Sequence, residues 1–164
     1  MRQFLIIFIS AMIVSLPAAA DESAKPFLKK DHMVVYKKKA KFKDTMEAVK
    51  DAITGQGLVI NNISHIGHML ERTGKDLGKT KQVYLDAESL AFCSAGTSRT
   101  TMEASPHNIV FCPYIISVYV LPSEPNVSYV AYRRPQIVGN KASKKSLIAV
   151  EKLLDSVVQE ALSW

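Results

Sequence analysis

The side chains of this chain that could do chemistry are concentrated in two short stretches. His65, His68 and Met69 fall within five consecutive positions. Cys93 and Cys112 lie nineteen residues apart, and each follows a phenylalanine. Imidazole, thioether and thiolate groups are ligands that copper, zinc and haem iron take from proteins. These residue types therefore indicate a site for a metal, a haem or a small ligand, or a pair of redox-active thiols.

The histidine stretch predicts ligands on one turn of a helix. Side chains three and four residues apart share a helix face, so His65, His68 and Met69 would come together there. A metal-bound imidazole is usually oriented by a carboxylate, which Glu71 or Asp86 would supply. We predict that His65 and His68 are metal ligands and that Met69 belongs to the same cofactor site, with copper or haem as the cofactor. The alternative is that both histidines are ordinary surface or core residues.

The two cysteines allow three roles. In an oxidising compartment two cysteines most simply form one disulfide, and closing a loop of this length stabilises a fold by roughly 3 kcal/mol in the chain-entropy model. The alternatives are a pair of metal or haem ligands and a redox couple. The chain has no Cys-x-x-Cys motif, so the sequence does not support a thioredoxin-type site or covalent c-type haem attachment.

A composite site would combine the two stretches. It would also include Met102, and it requires the strands that carry the cysteines to converge on the histidine helix. We assign Arg99 to this cofactor site because a guanidinium can bind a carboxylate, a phosphate or a haem propionate. The pair Arg133 and Arg134 could do the same. Otherwise these arginines cap a sheet edge or face solvent.

The first twenty residues have the pattern of a secretory signal peptide. Arg2 precedes an apolar run from Phe4 to Leu16, and small residues lead to a predicted cleavage after Ala20. The alternative is an uncleaved membrane anchor, but the run is short for a membrane span. We predict a signal peptide over 1–20, a linker over 21–32 and one domain over 33–164. The domain is expected in the periplasm.

The charge of the chain is positive and unevenly distributed. The net charge is +6 at pH 7, and much of it comes from lysines near the predicted mature start. Such a cluster is either a solvated surface or a docking patch for an acidic partner protein or anionic lipid. We do not expect nucleic acid as a partner, because no stacking aromatics interleave the lysines. The cluster comprises Lys25, Lys29, Lys30, Lys37, Lys38, Lys39, Lys41 and Lys43.

The elements that must position these side chains follow from the hydrophobic periodicity. A capping-box pattern from Asp44 to Glu47 predicts the start of the first helix. The pattern predicts an α+β fold: a two-layer sandwich in which helices pack on one face of a single mixed or antiparallel sheet. No Gly-rich phosphate loop follows a strand, which argues against a doubly wound fold. The predicted strands are 33–36, 58–63, 90–95, 114–121 and 127–132, and the predicted helices are 44–55, 65–72, 98–104 and 143–164.

Three segments together resemble the DUF302 family. They are the helix from Phe42 to Gly57 with the pattern Phe-x6-Val-x2-Ala-Ile-x3-Gly, the strand Pro-Tyr-Ile-Ile-Ser-Val-Tyr-Val, and the following Val-Ser-Tyr-Val-Ala-Tyr-Arg-Arg-Pro. The resemblance covers roughly Met33 to Leu162. It implies a small α+β domain that is often dimeric and has no assigned activity, so a homodimer is expected. The chain departs from the commoner family pattern around Cys93 and Cys112.

The leading functional hypothesis is an exported binding or redox-accessory module that holds a small ligand, metal or haem. No nucleophile elbow, zincin motif or Ser/His/Asp signature is present, so a hydrolase is not expected. One alternative is a structural or interaction protein in which Cys93 and Cys112 form a disulfide and no cofactor binds. A second alternative is an enzyme acting on sulfur or thiol substrates, which would require a Cys93 thiol of lowered pKa.

Overall fold

The computed structural model describes residues 23–164, and the predicted signal peptide over 1–20 lies outside this range. The described chain contains four α-helices, one 3-10 helix and six strands. In order they are β1 (Leu28–Lys29), β2 (Met33–Lys38), α1 (Phe42–Gly55), β3 (Val59–Ser64), α2 (Ile66–Asp76), β4 (Asp86–Cys93), α3 (Ala95–Ala104), a 3-10 helix (Pro106–Phe111), β5 (Tyr114–Val120), β6 (Ser128–Arg133) and α4 (Lys141–Leu162).

All six strands form one antiparallel sheet. Their order across the sheet is β1-β2-β6-β5-β4-β3, so β3 and the two-residue β1 are the edge strands. The helices pack against this sheet, with α4 in contact with both α1 and α3. The predicted α+β sandwich is therefore confirmed. Within residues 23–164, no helix is both long enough and apolar enough to cross a bilayer.

The core lies between the sheet and the long helices. Every second residue of β5 is buried, which is the period-two pattern of a strand with one face turned to a core. On α4 the apolar residues on one face recur at helical spacing and are nearly inaccessible to solvent, whereas Ile148 is exposed. Burying each such side chain contributes about 1.5–3 kcal/mol. The central members of the core are Leu90, Phe92, Ile116, Val118, Val130, Val150 and Leu154.

Three helices begin earlier than the sequence pattern predicts, and one of them is α4, which starts at Lys141 instead of residue 143. Helix α1 starts at Phe42, and the predicted capping box does not form because Asp44 lies within the first turn and the N-cap is Lys41, whose side chain makes no capping hydrogen bond. Helix α3 starts at Ala95 because the Ser94 side chain accepts a hydrogen bond from the amide of Thr97 at 3.3 Å.

Other bounds also differ from the prediction. The region predicted as a linker contains β1, which pairs with β2. Strand β4 begins at Asp86, four residues early, because it pairs with β5 through polar residues that hide the strand pattern. Helix α2 continues past the predicted end at Arg72 to Asp76. The glycine in its last turn, Gly74, permits the carbonyl of Lys79 to approach within 2.6 Å of where a Cβ would lie.

Candidate functional site

The histidine stretch and the cysteines lie at opposite ends of strand β4. Cys93 is the last residue of β4 and pairs with Val59 at the start of β3. The last residue of β3, Ser64, pairs with Ser89 on β4, and His65 follows Ser64 in the chain. With about 3.3 Å per residue, the distance along β4 from Glu88 to Cys93 is roughly 16 Å. The predicted composite site therefore does not form, because antiparallel pairing of β3 with β4 places the histidine stretch and Cys93 at different ends of β4.

The histidine stretch has a carboxylate partner that differs from the predicted one. The Nδ1 atom of His65 lies 2.7 Å from Oε1 of Glu88, so Glu88 rather than Glu71 or Asp86 orients this imidazole. His65 and His68 both line a shallow hollow of about 300 Å³ at the start of β4. Across residues 23–164, no three His, Cys, Asp or Glu side chains converge in an arrangement that could hold a metal ion. The assignment of His65 and His68 as ligands stays a prediction.

The hydrogen bonds that Met69 and Arg99 make within residues 23–164 do not involve the cysteine sulfurs. Met69 is 40% exposed on α2, where its sulfur lies 3.9 Å from the hydroxyl of Thr73. Arg99 projects from α3, its side chain is 80% exposed, and its Nε donates to Glu103 at 2.7 Å. This ion pair is between residues four apart on one helix, so it stabilises α3 by a few tenths of a kcal/mol.

The two thiols are brought into contact by the pairing of β4 with β5. The Sγ atoms of Cys93 and Cys112 lie 2.9 Å apart, which is longer than the S–S bond of about 2.05 Å, and both residues are partly exposed. Phe92 pairs with Tyr114 across the two strands, and their rings pack edge to face with centroids 6.0 Å apart. These buried aromatics hold the end of β4 beside the segment that enters β5 through a cis Cys112–Pro113 peptide.

A serine on α3 completes the surroundings of the thiol pair. The Oγ atom of Ser98 lies 3.6 Å from Sγ of Cys112 and 3.1 Å from the hydroxyl of Tyr114. No local pattern indicates the contact, since it requires β4 and β5 to pair first and α3 to turn back over their ends.

The environment of Cys93 favours the neutral thiol. Burial raises the pKa of Cys93 to about 11, and the contact with the thiol of Cys112 acts in the same direction, whereas the side chain of Asn61 opposes it. Cys93 is therefore protonated at neutral pH. An enzyme that acts on thiol substrates through Cys93 would require a lowered pKa of this thiol, whereas its environment raises the pKa.

Two lysines of the predicted docking cluster take part in the fold. Lys37 pairs with Glu124 at 3.0 Å and lies over the ring of Phe27, with 4.1 Å from Nζ to the centroid. Lys38 donates to the carbonyl of Leu162 at 2.9 Å and lies over the Trp164 ring. Both contacts join strand β2 to other parts of the domain, so these two lysines have a structural role apart from any partner.

Comparison with known proteins supports the fold. The chain matches the family model described as "Domain of unknown function DUF302" over residues 34–161. A solved structure, an uncharacterized conserved DUF302 protein from Bacillus stearothermophilus, is 15% identical and covers 79% of this chain and 97% of its own, with a TM-score of 0.65. No curated protein matches the chain significantly. The chain belongs to the DUF302 family.

Proposed function

We propose that this protein is an exported redox-accessory module whose working group is the pair Cys93 and Cys112. The observation that carries the proposal is the 2.9 Å separation of the two sulfur atoms in partly exposed positions. Thiols that are already in contact can form a bond with little movement of the backbone. Export, inferred from the signal-peptide pattern, places the pair where disulfides persist.

The reaction is a thiol–disulfide exchange with a partner. When the two thiols close to a disulfide, they release two electrons and two protons, which reduce the disulfide of an oxidant protein or of oxidised glutathione to two thiols. In the reverse direction an external thiolate attacks one sulfur of the pair and expels the other. Burial raises the pKa of Cys93, and a thiol of raised pKa is a poor leaving group, so we expect the external thiolate to attack Cys93.

This assignment is tested by trapping the intermediate. The oxidised protein is treated with reduced glutathione, quenched at intervals with N-ethylmaleimide and mapped by peptide mass spectrometry. We expect glutathione on Cys93 and N-ethylmaleimide on Cys112. The variant Cys93→Ser, treated in the same way, should form no such species. Glutathione found only on Cys112 would refute the order of attack, and an intact disulfide after prolonged treatment would refute redox exchange.

A second candidate function is a purely structural disulfide. It is favoured by the raised pKa of Cys93, which makes the thiolate scarce and slows exchange through this sulfur at neutral pH. In this case the bond stabilises an exported domain and exchanges electrons with no partner. The two candidates differ in reduction potential, because structural disulfides have potentials below about −300 mV, whereas exchangeable ones lie higher.

A further inference from the structure

Exposed apolar side chains flank the thiol pair on both sides. Val59 of β3 is paired with Cys93 at the end of β4, and side chains of residues paired in this way lie on the same face of a sheet. On the other side, Ile109 and Val110 belong to the 3-10 helix that leads into Cys112, whose amide donates to the carbonyl of Ile109 at 3.0 Å. We call Val59, Ile109 and Val110 the thiol-flanking patch.

The side chains of the thiol-flanking patch are strongly exposed. Val110 is 73% exposed and Val59 is 67% exposed, and among the large apolar side chains of residues 23–164 only Leu77, at 70%, is comparable. Ile109 is 58% exposed. Single apolar residues are scattered over most protein surfaces, whereas a group of them marks an interaction site. This group lies beside two partly exposed thiols, so a protein that reacts with the thiols would contact it.

The patch and the thiols lie along one end of the sheet. Strands β3, β4 and β5 are adjacent, and with about 4.8 Å between neighbouring strands the start of β3 and the entry to β5 are roughly 10 Å apart. Three or four residues of extended chain span this distance at about 3.3 Å each. A segment that crosses this end of the sheet could therefore bring a cysteine to the thiol pair and place its neighbours over Val59 and Val110.

The groups that surround the sulfurs are uncharged. The hydroxyl of Ser98 lies 3.6 Å from Sγ of Cys112. Within residues 23–164, the groups that act on the pKa of Cys93 besides Cys112 are the neutral amide of Asn61 and the backbone of Tyr114. No ionised side chain is among them, so a charged partner such as glutathione, with its carboxylates, gains no ion pair at Cys93.

We infer that the thiol-flanking patch binds a protein segment whose reacting cysteine lies between apolar residues. This inference rests on the proposed thiol exchange and gives the class of its partner. The partner's thiolate attacks one sulfur of the Cys93–Cys112 disulfide, so that one S–S bond breaks, a mixed disulfide forms, and the expelled thiolate takes a proton from water. Apolar side chains beside the attacking cysteine would lose water against Val59 and Val110, which favours the encounter.

Two short peptides with similar thiols test this partner class. The oxidised protein, residues 21–164, is mixed with acetyl-Leu-Ala-Cys-Ala-Leu-amide or acetyl-Gln-Ala-Cys-Ala-Gln-amide, and loss of the disulfide is followed by alkylation and mass spectrometry. Rates of both peptides with cystamine correct for intrinsic thiol reactivity. We expect the leucine peptide to react about tenfold faster. Equal rates, with glutathione also reducing the disulfide, would overturn the apolar partner and leave thiol exchange intact, whereas no reduction by any of the three would overturn both.

Matched variants locate the contact. Val59→Gln and Val110→Gln should each lower the ratio of the two peptide rates about threefold. Leu77→Gln, a comparably exposed residue at the end of α2, should leave the ratio unchanged. The ratio cancels any effect of a substitution on the thiols themselves. An unchanged ratio in both valine variants, or an equal fall in all three variants, would contradict the assignment.

Size-exclusion chromatography distinguishes a second occupant of the patch. A second copy of this chain seated on Val59 and Val110 would make the wild type a dimer, and Val59→Gln and Val110→Gln would make it a monomer. We expect no change of oligomeric state in either variant. A change to monomer, together with equal rates of the two peptides on the wild type, would assign the patch to self-association and overturn the inference.

Discussion

The sulfur atoms of Cys93 and Cys112 touch at 2.9 Å although nineteen residues separate them along the chain. Their neighbours fix this geometry, because Phe92 and Tyr114 are buried partners on adjacent strands. The thiols therefore meet as a consequence of the sheet and need no local motif such as Cys-x-x-Cys. We expect that a pair held in this way can form and break a disulfide while the strands stay paired.

Oxidation of the thiol pair should stabilise the fold. Closing the loop between Cys93 and Cys112 removes entropy from the unfolded chain, and we expect a gain of about 3 kcal/mol in the free energy of unfolding. Urea denaturation of the protein with and without dithiothreitol measures this difference. The double variant Cys93→Ser/Cys112→Ser is the control and should respond to dithiothreitol by less than about 0.5 kcal/mol. A wild-type protein as insensitive as the control would show that no disulfide forms.

Alkylation of Cys93 in the reduced protein should be slow and strongly dependent on pH. Burial raises the pKa of Cys93 from 9.0 to about 11, so near pH 8 its thiolate is about 100-fold less abundant than in the unfolded chain. The rate with iodoacetamide, followed by peptide mapping, should keep rising beyond pH 10. A rate that levels off below pH 9 would contradict the raised pKa.

The same pKa shift affects the stability of the reduced protein. The folded state binds the Cys93 proton more tightly than the unfolded state does. The contribution of this proton to the free energy of unfolding is therefore fully present below about pH 9 and is lost as the pH rises towards 11. The difference in unfolding free energy between the reduced wild type and Cys93→Ser should therefore shrink over this range. No change over the range would argue against burial as the cause of the shift.

Asp155 should stabilise the interface between α4 and the sheet. Its Oδ1 atom accepts hydrogen bonds from the hydroxyls of Tyr36 at 2.6 Å and Tyr132 at 2.9 Å. We expect Asp155→Ala to lower the free energy of unfolding by about 1–3 kcal/mol, because two buried hydroxyls lose their acceptor. Asp51→Ala, an exposed aspartate on α1, is the matched control and should have an effect within about 0.5 kcal/mol.

Tyrosine absorbance gives this variant a second measurement. Burial and the hydrogen bonds to Asp155 both raise the pKa values of Tyr36 and Tyr132 above the usual value for tyrosine. In Asp155→Ala both hydroxyls should ionise at lower pH, as seen at 295 nm. A titration curve equal to that of the wild type would show that Asp155 does not control these groups.

Two glycines at the second position of a helix should respond in opposite ways to alanine. A Cβ at Gly67 in α2 would lie 2.9 Å from the backbone nitrogen of Ala87, so Gly67→Ala should cost about 1–3 kcal/mol. A Cβ at Gly96 in α3 would have no neighbour within 4 Å, so Gly96→Ala should be neutral or stabilise by up to about 1 kcal/mol. Thermal or urea unfolding measures both, and equal effects would contradict the close packing of α2 on β4.

Patterns that depend on local periodicity predict this fold well. Strand β5 and helix α4 are found close to their predicted bounds because β-branched and aromatic residues are concentrated in one and apolar residues recur every three or four positions in the other. The start of β4 was missed because Asp86, Glu88 and Ser89 interrupt the apolar run. Those residues nevertheless pair with Val120, Val118 and Ser117 of β5.

The candidate site could be predicted only in part, because its contacts join distant segments. The residue types indicated that Cys93 and Cys112 form a pair, and the two side chains do lie together. His65 does not approach the cysteines as expected. Antiparallel pairing of β3 with β4 places the histidine stretch and Cys93 at opposite ends of β4, and this pairing is not visible in the sequence. The contacts of Glu88 with His65 and of Ser98 with Cys112 likewise exist only after the strands have paired.

The reduction potential of the Cys93–Cys112 pair tests the proposed function most directly. The protein is equilibrated in buffers of oxidised and reduced dithiothreitol or glutathione, acid-quenched, and its oxidised fraction is determined by alkylation and mass spectrometry. We predict half-oxidation between about −180 and −300 mV, the range of exchangeable disulfides. A potential well below −300 mV would identify a structural bond, and thiols that stay reduced under all buffers would contradict the proposal altogether.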